Sequence, residues 1–369
     1  MIFYTVENKY KFFIAVTAMM HSSMQIALYL YRVVFNPSID YVFNYAPMVF
    51  YCYFNICCTF QVFLKYRFIK NSSRFIKNYF LSINSACEEA KLEIEDQVGI
   101  IKKLILFTST ISFATAIPGL PFTGIEYSED LFPFVEFLDH INIPSIVKIC
   151  MAIINYMVAF PSFYFATLYV AILGFYASNI MVQAILIKWN LILLTANLEI
   201  TDEYCILQDH QKQMIIENKL RKCIKQHKIL CVFLKQFQGF LYYTALWHMI
   251  GAVVLLASLS YSLAFRDQRR INNKIILIIM LTAVVYSTYV YCLVVELVQR
   301  QMGNILDATA ETQWYYLSTK NRKTFLMFIT NLGRMRRLSL GGIFDANLDL
   351  CIYIMKKAYA FVSLFAAVN

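Results

Sequence analysis

Apolar residues run along this chain in stretches longer than the core elements of a soluble domain. Seven of them, Phe12–Phe35, Tyr41–Leu64, Leu104–Leu120, Ile146–Leu173, Phe240–Phe265, Ile275–Leu297 and Leu348–Val368, approach or exceed the roughly 20 residues a helix needs to cross a bilayer. The amphipathic intervals of a large soluble helical protein are nearly absent between them. Several helices are expected to continue past the membrane. The fourth run goes on beyond Pro161 to Glu199 without a Gly-Pro break, and the sixth passes Glu296 into "LVQRQMGNILDATAETQW". At about 1.5 Å per residue, such helices overshoot the hydrocarbon and project into water. Segment 206–237 predicts a further extension, with Leu207, Met214, Ile215, Leu220, Ile224 and Ile229 on roughly one side. An apolar stripe outside the bilayer needs cover, from its own chain or from a neighbouring subunit. Gly341-Gly342 interrupts the pattern between a short helix at Lys323–Leu332 and a last one starting near Ala346, so the seventh element is expected to be split.

Composition agrees with immersion in lipid. The chain is 59% hydrophobic and 15% charged, where a soluble domain carries about 25% charged residues. Its net charge of +10 is unevenly placed. Basic residues crowd segments 65–103, 188–235 and 300–337, whereas loop 119–147 has no Lys or Arg and carries Glu126, Glu129, Asp130, Glu136 and Asp139. Basic loops stay in the cytosol, which puts the N-terminus inside and the C-terminus outside. The short loop with Arg266, Arg269, Arg270 and Lys274 runs against this assignment and is outweighed by the longer ones. The first run follows Lys9 and Lys11, exceeds the length of a signal-peptide core and lacks a small-residue cleavage site, so it is expected to be retained as a span. The scattered cysteines imply no disulfide framework. The sequon Asn71-Ser72-Ser73 lies in a basic segment and is expected to stay unmodified. Clustering of the basic charge in loops between spans argues against nucleic acid as a partner.

The expected fold is thus an all-α membrane protein with seven transmembrane helices, cytosolic helical extensions and a split seventh helix. Residues 1–187 would hold spans one to four, with a ligand cavity in their outer half. Residues 188–239 would form a cytosolic helical anchor region and 240–299 spans five and six. Residues 300–344 would carry the cytosolic extension of span six and the inner seventh helix, and 345–369 the outer seventh helix.

Motifs in the C-terminal third resemble those of the insect odorant receptors. The chain nears its end on Met355-Lys356-Lys357-Ala358-Tyr359-Ala360-Phe361, similar to that family's closing pattern. Tyr291-Cys292 matches its aromatic-Cys pair in span six, Trp314 its tryptophan beyond that span, and Arg322-Lys323-Thr324-Phe325-Leu326 its basic-aliphatic stretch. Two positions depart: Val295-Glu296 stands where Gly-Asn is frequent, and Ala310 where Tyr is. The ending Thr-Tyr, five residues, Gln-Phe of the related gustatory receptors is missing, and Phe365 occupies the place of a co-receptor's Gln. The resemblance implies a ligand-tuning subunit of a ligand-gated, non-selective cation channel. It would be opened by a small volatile hydrophobic odorant and would act in the dendritic plasma membrane of sensory neurons. Its partners would be odorant co-receptor subunits, in a heteromer of four chains, and the lipid bilayer. No cofactor and no metal are expected.

Candidate site residues follow from that resemblance. An apolar cavity with a few hydroxyls suits such a ligand, and the family places it among the outer halves of spans two, three, four and six. There stand Met48, Tyr51 and Phe54; Ser112 and Thr115; Tyr156 and Phe160; and Ile279, Met280, Thr282, Ala283 and Tyr286. Each also suits ordinary packing between spans. In the last helix Ala358, Val362, Phe365 and Ala366 share one face, with Val362 at the family's gate position. An apolar constriction excludes water and hence ions. The same helix also suits a lipid-facing role, with Lys356 and Lys357 snorkelling to the interface. Enzymatic readings find no support, since the five histidines form no metalloprotease spacing and neither a phosphate loop nor a serine-nucleophile motif is present. A gustatory-type channel of the same superfamily and a seven-span receptor coupled to G proteins are the alternatives. The inward N-terminus opposes the second, and an N-terminal tag reached by antibody only after permeabilisation would exclude it.

Overall fold

The computed structural model describes residues 9–64, 66–116, 133–141, 143–195, 207, 209–264, 271–332, 338–340, 344–345 and 347–368. Among them, seven helices have 21 or more residues: α1 (Lys9–Phe35), α2 (Ile39–Leu64), α4 (Glu88–Ala116), α6 (Ser145–Ile192), α7 (His210–Ala264), α8 (Ile271–Glu311) and α10 (Leu348–Val368). At about 1.5 Å per residue, each spans roughly 30 Å or more, the hydrocarbon thickness. Three shorter helices, α3 (Tyr66–Tyr79), α5 (Pro133–His140) and α9 (Thr319–Leu332), complete the set.

The extensions are continuous with the spans. Helix α6 runs 48 residues through Pro161 without interruption, and α7 joins the segment expected in the cytosol to span five in one helix of 55 residues. Asp209 starts α7, its Oδ1 accepting the backbone N–H of Gln211 at 2.9 Å and of Lys212 at 3.1 Å. Helix α4 likewise begins at Glu88, well before the expected third span. The stretch Val170–Ile192 of α6 is apolar enough to face lipid, yet 72% of its most apolar 18-residue window is buried by protein. Tyr176, fully buried, stacks with Phe233, Phe237 and Phe240 of α7 at centroid distances of 5.7, 5.8 and 5.6 Å. The hydrophobicity there serves an inter-helix core.

Helices α4 and α6 pack tightly at Gly174, where an added Cβ would overlap Ile105 Cδ1 and press on Ile101. Further toward the cytosol the pair is joined by Glu93, whose oxygens accept from Lys188 Nζ at 2.9 Å and from Trp189 Nε1 at 2.7 Å. The start of α7 is pinned to α9 through Gln213, whose Oε1 accepts from Ser318 N and Asn321 Nδ2 at 2.8 and 2.9 Å.

The apolar stripe expected for the cytosolic part of α7 is corrected in phase. Ile216, Leu220, Cys223, His227, Leu230 and Phe233 are buried, whereas Met214 and Ile215 are 51% and 46% exposed. Polar Gln213 and His227 lie on the inner face, which a hydrophobicity count overlooks. His227 packs edge-on to Phe328 at 5.3 Å, and burial lowers its pKa from 6.5 to about 4. The unfolded chain therefore takes up this proton between pH 6.5 and 4, while the folded chain does not. Acidification through that window is expected to destabilise the cytosolic bundle, by about 2 kcal/mol between pH 6.5 and pH 5. Thermal unfolding of the detergent-solubilised protein should show it, and His227→Leu should flatten this part of the pH profile.

The split seventh element is present as α9 and α10. Between them the sequence reading missed a two-stranded antiparallel ribbon, β1 (Ser339–Leu340) and β2 (Phe344–Asp345), pairing Ser339 with Asp345 and Leu340 with Phe344. Gly341-Gly342 and Ala346 lie outside the described residues, as do 117–132, which include the end of the expected third span and Glu126, Glu129 and Asp130.

Candidate functional site

A cavity of about 50 Å³ lies among α2, α4, α6, α7 and α8. Tyr51, Phe54, Ser112, Met280 and Ala283 line it, so five of the candidate residues meet at one place. Thr108, Val170, Leu255, Val284 and Ser287 complete the wall. Met48 is buried beside it, packed with Cys52, Leu255 and Met280. Thr282 is exposed and its hydroxyl donates to Ile278 O at 2.9 Å, while Tyr286 packs edge-on to Phe107 at 4.7 Å. Ile279 is half-buried outside the lining. Thr115, Tyr156 and Phe160 sit on α4 and α6, but their side chains lie outside the described residues.

The polar chemistry of the wall is specific. Thr108 Oγ1 donates to Leu104 O at 2.7 Å and Ser287 Oγ to Val284 O at 3.0 Å. A hydroxyl whose proton is given to its own helix keeps acceptor lone pairs. Ser112 and the Tyr51 phenol add two more hydroxyls, the rest of the wall is aliphatic and aromatic, and no lining side chain is charged. Met280 and Ser287 stand 9 and 16 residues from the outer end of α8, about 14 and 24 Å along the helix.

The last helix is anchored to α8. Glu296 Oε2 accepts the Leu348 backbone N–H at 2.9 Å, supplying a partner to one of the orphan donors that start a helix. Asn347 Oδ1 takes another, from Leu350 N, at 3.1 Å. Buried Tyr291 and Cys292 on α8 belong to one core with Leu350, Cys351, Ile354 and Ala358 of α10. Ala358 is only 6% exposed, against the protomer's own core, and Val362 one turn further is half-buried. Tyr359 and Phe361 point away from the chain, and the side chains of Phe365 and Ala366 lie outside the described residues. Lys356 and Lys357 are both exposed, Lys357 Nζ lying 5.2 Å from the Tyr353 ring centre.

A sequence profile described as 7tm Odorant receptor matches residues 48–359 of the chain. The chain belongs to that odorant receptor family. Odorant receptor 85a of Drosophila melanogaster is 22% identical over 146 residues, 40% of this chain and 36% of that relative, so the match spans little more than a third of its length. The insect olfactory receptor OR5 from Machilis hrabei superposes with a TM-score of 0.70 at 13% identity, covering 95% of this chain and 88% of that one. The same receptor in complex with eugenol superposes with a TM-score of 0.63 at 12% identity, over the same shares. This odorant receptor is thus a multi-pass membrane protein with the fold of the insect olfactory receptors, and not an enzyme.

Signals for the lining residues missed in the sequence were partly available. In this odorant receptor Thr108, Val284 and Ser287 each stand four residues from a candidate, one helical turn away on the same face. Leu255 had no such signal, because it stands on span five, outside the four spans that the resemblance implies.

Proposed function

We propose that this odorant receptor is the ligand-tuning subunit of a cation channel, assembled with co-receptor chains in a four-subunit complex of the sensory dendrite. The observation that carries the reading is the apolar cavity between the spans, whose wall bears hydroxyl groups and no charge. Val362 stands six residues from the outer end of α10, about 9 Å along that helix. Eugenol, held by the relative from Machilis hrabei, is a phenol. The acceptor lone pairs of Thr108 and Ser287 favour such a molecule here too: a small apolar alcohol or phenol that donates one hydrogen bond.

Filling the cavity displaces α8, and the Glu296–Leu348 link passes the movement to α10. Val362, with Phe365 and Ala366 beyond it, forms the apolar constriction, and Ala358 holds that helix to its protomer. Assembly is supported by large apolar side chains left exposed on the cytosolic extensions: Met214, Ile215, Trp314, Leu326 and Met327. Such a patch marks a protein interface.

Co-expression in oocytes with an odorant co-receptor, followed by a panel of volatile alcohols, phenols, esters and aldehydes, tests the reading. Evoked cation current that needs both chains is the expected result, and none across the panel sinks it. Within a responding channel, Ala283→Val is expected to raise the concentration for half-maximal current about tenfold. Two added methyl carbons consume space in a cavity that a ligand must already expand, a cost of about 1–3 kcal/mol. An unchanged midpoint would remove Ala283 from the site.

A further inference from the structure

The resting cavity of about 50 Å³ is too small for an organic molecule, and the structure pairs it with a larger space. A second cavity of about 270 Å³ lies between α1, α2 and α7. Its rim carries Leu30, Phe50, Tyr53 and Ile250, which are 52%, 37%, 40% and 47% exposed. Large apolar side chains exposed on spanning helices face lipid tails, so this cavity opens sideways into the bilayer. No charged side chain lines it.

The two cavities share a wall. Phe54 lines the inner one, and its Cδ2 lies 3.1 Å from the point where a Cβ on Gly251 of the outer one would stand. Leu255 faces the inner cavity and Val254 the outer, so adjacent residues of α7 bound both sides. The partition is therefore an aromatic ring lying across a bare stretch of α7 backbone. Glycine leaves that ring its room. Rotation of the Phe54 ring joins the two.

We propose that the outer cavity is a lateral port. Through it the apolar agonist, already dissolved in the membrane, enters between α2 and α7, with Phe54 as the door. The inference rests on the ligand-gated reading above and adds the route. Partitioning favours that route, because each buried methylene contributes about 0.8 kcal/mol and concentrates an apolar molecule in lipid.

A port differs from a binding site in what blocking it changes. An obstruction raises the barrier to entry and exit alike and leaves the equilibrium midpoint in place. Val254→Trp fills the outer cavity from α7 without replacing any residue of the inner wall. With the strongest agonist of the panel, current onset and washout are expected to slow together by about tenfold at an unchanged midpoint. Should Val254→Trp fail to reach the surface, Leu30→Cys can be folded first and then labelled with a bulky lipid-soluble maleimide, the same reagent on the wild type serving for the native cysteines. Unaltered rates after either block overturn the port. So does a shifted midpoint with unaltered rates, which would make the outer cavity itself the site. Absence of agonist-evoked current in the wild type would instead overturn the channel reading, and the port with it.

Discussion

Serine at position 362 is expected to raise the ligand-independent current several-fold, measured in oocytes with the co-receptor and normalised to surface protein. The reason lies in how water treats a narrow apolar passage. A constriction ringed by apolar side chains offers water no hydrogen bonds, so the column empties and ions lose their hydration on entry. A hydroxyl in place of Val362 restores a foothold for water. Val362 is well placed for this, because the face of α10 that begins with Leu350, Cys351, Ile354 and Ala358 is committed to its own protomer. At Val362 that commitment weakens to half-burial, so the side chain remains available to an axis shared between subunits. Tyr359→Ser, one turn inward at a position 74% exposed, is the control. Basal current that rises equally in both variants would assign the effect to general loosening of the helix, and basal current unchanged in Val362→Ser would remove it as the gate.

Much of this architecture was legible in the sequence, because the bilayer imposes one rule on every span. Long apolar runs and the sidedness of lysine and arginine follow from that rule, and so the helices, their orientation and the break before α10 could be read. Protein-on-protein packing imposes no such single rule. The apolar residues between Val170 and Ile192 looked like membrane contacts and prove to be covered by neighbouring helices. In α7 the buried face includes Gln213, bonded to Asn321, and His227, whose ring nitrogen meets Cys231 Sγ, so apolar spacing alone selected Met214 and Ile215 instead. The cavity shows the same limit. Thr282 and Ala283 are adjacent in sequence, about 100° apart around the helix, and only the second lines the space. Which of two neighbours faces inward depends on the rotation of α8 against α4 and α7, and that is a tertiary property.

Glu296→Ala is expected to cut the maximal agonist-evoked current by about ten- to a hundredfold while leaving the cavity intact. The Glu296 carboxylate meets the positive end of the α10 helix dipole at Leu348 N, 2.9 Å away. A hydrogen bond to a charged group contributes about 1.5–3 kcal/mol, and at 1.4 kcal/mol per tenfold that range sets the expected loss. The geometry is that of a lever. Residue 296 lies 25 positions from the outer end of α8, about 38 Å along it, where that helix leaves the bilayer and α10 enters. On the channel reading proposed above, displacement of α8 at Met280 and Ala283 would be carried along that helix to this point and handed to the start of α10. Without the carboxylate, the orphan N–H of Leu348 turns to water and the two helices move apart. Glu296→Gln keeps an oxygen acceptor and is expected to retain a substantial share of the current, which separates the role of the bond from that of the charge. Agonist binding should persist in both variants, shown by the agonist's protection of Ser112→Cys from a thiol reagent. If Glu296→Ala instead responds at full amplitude, the coupling runs through the Tyr291–Cys292 seam alone.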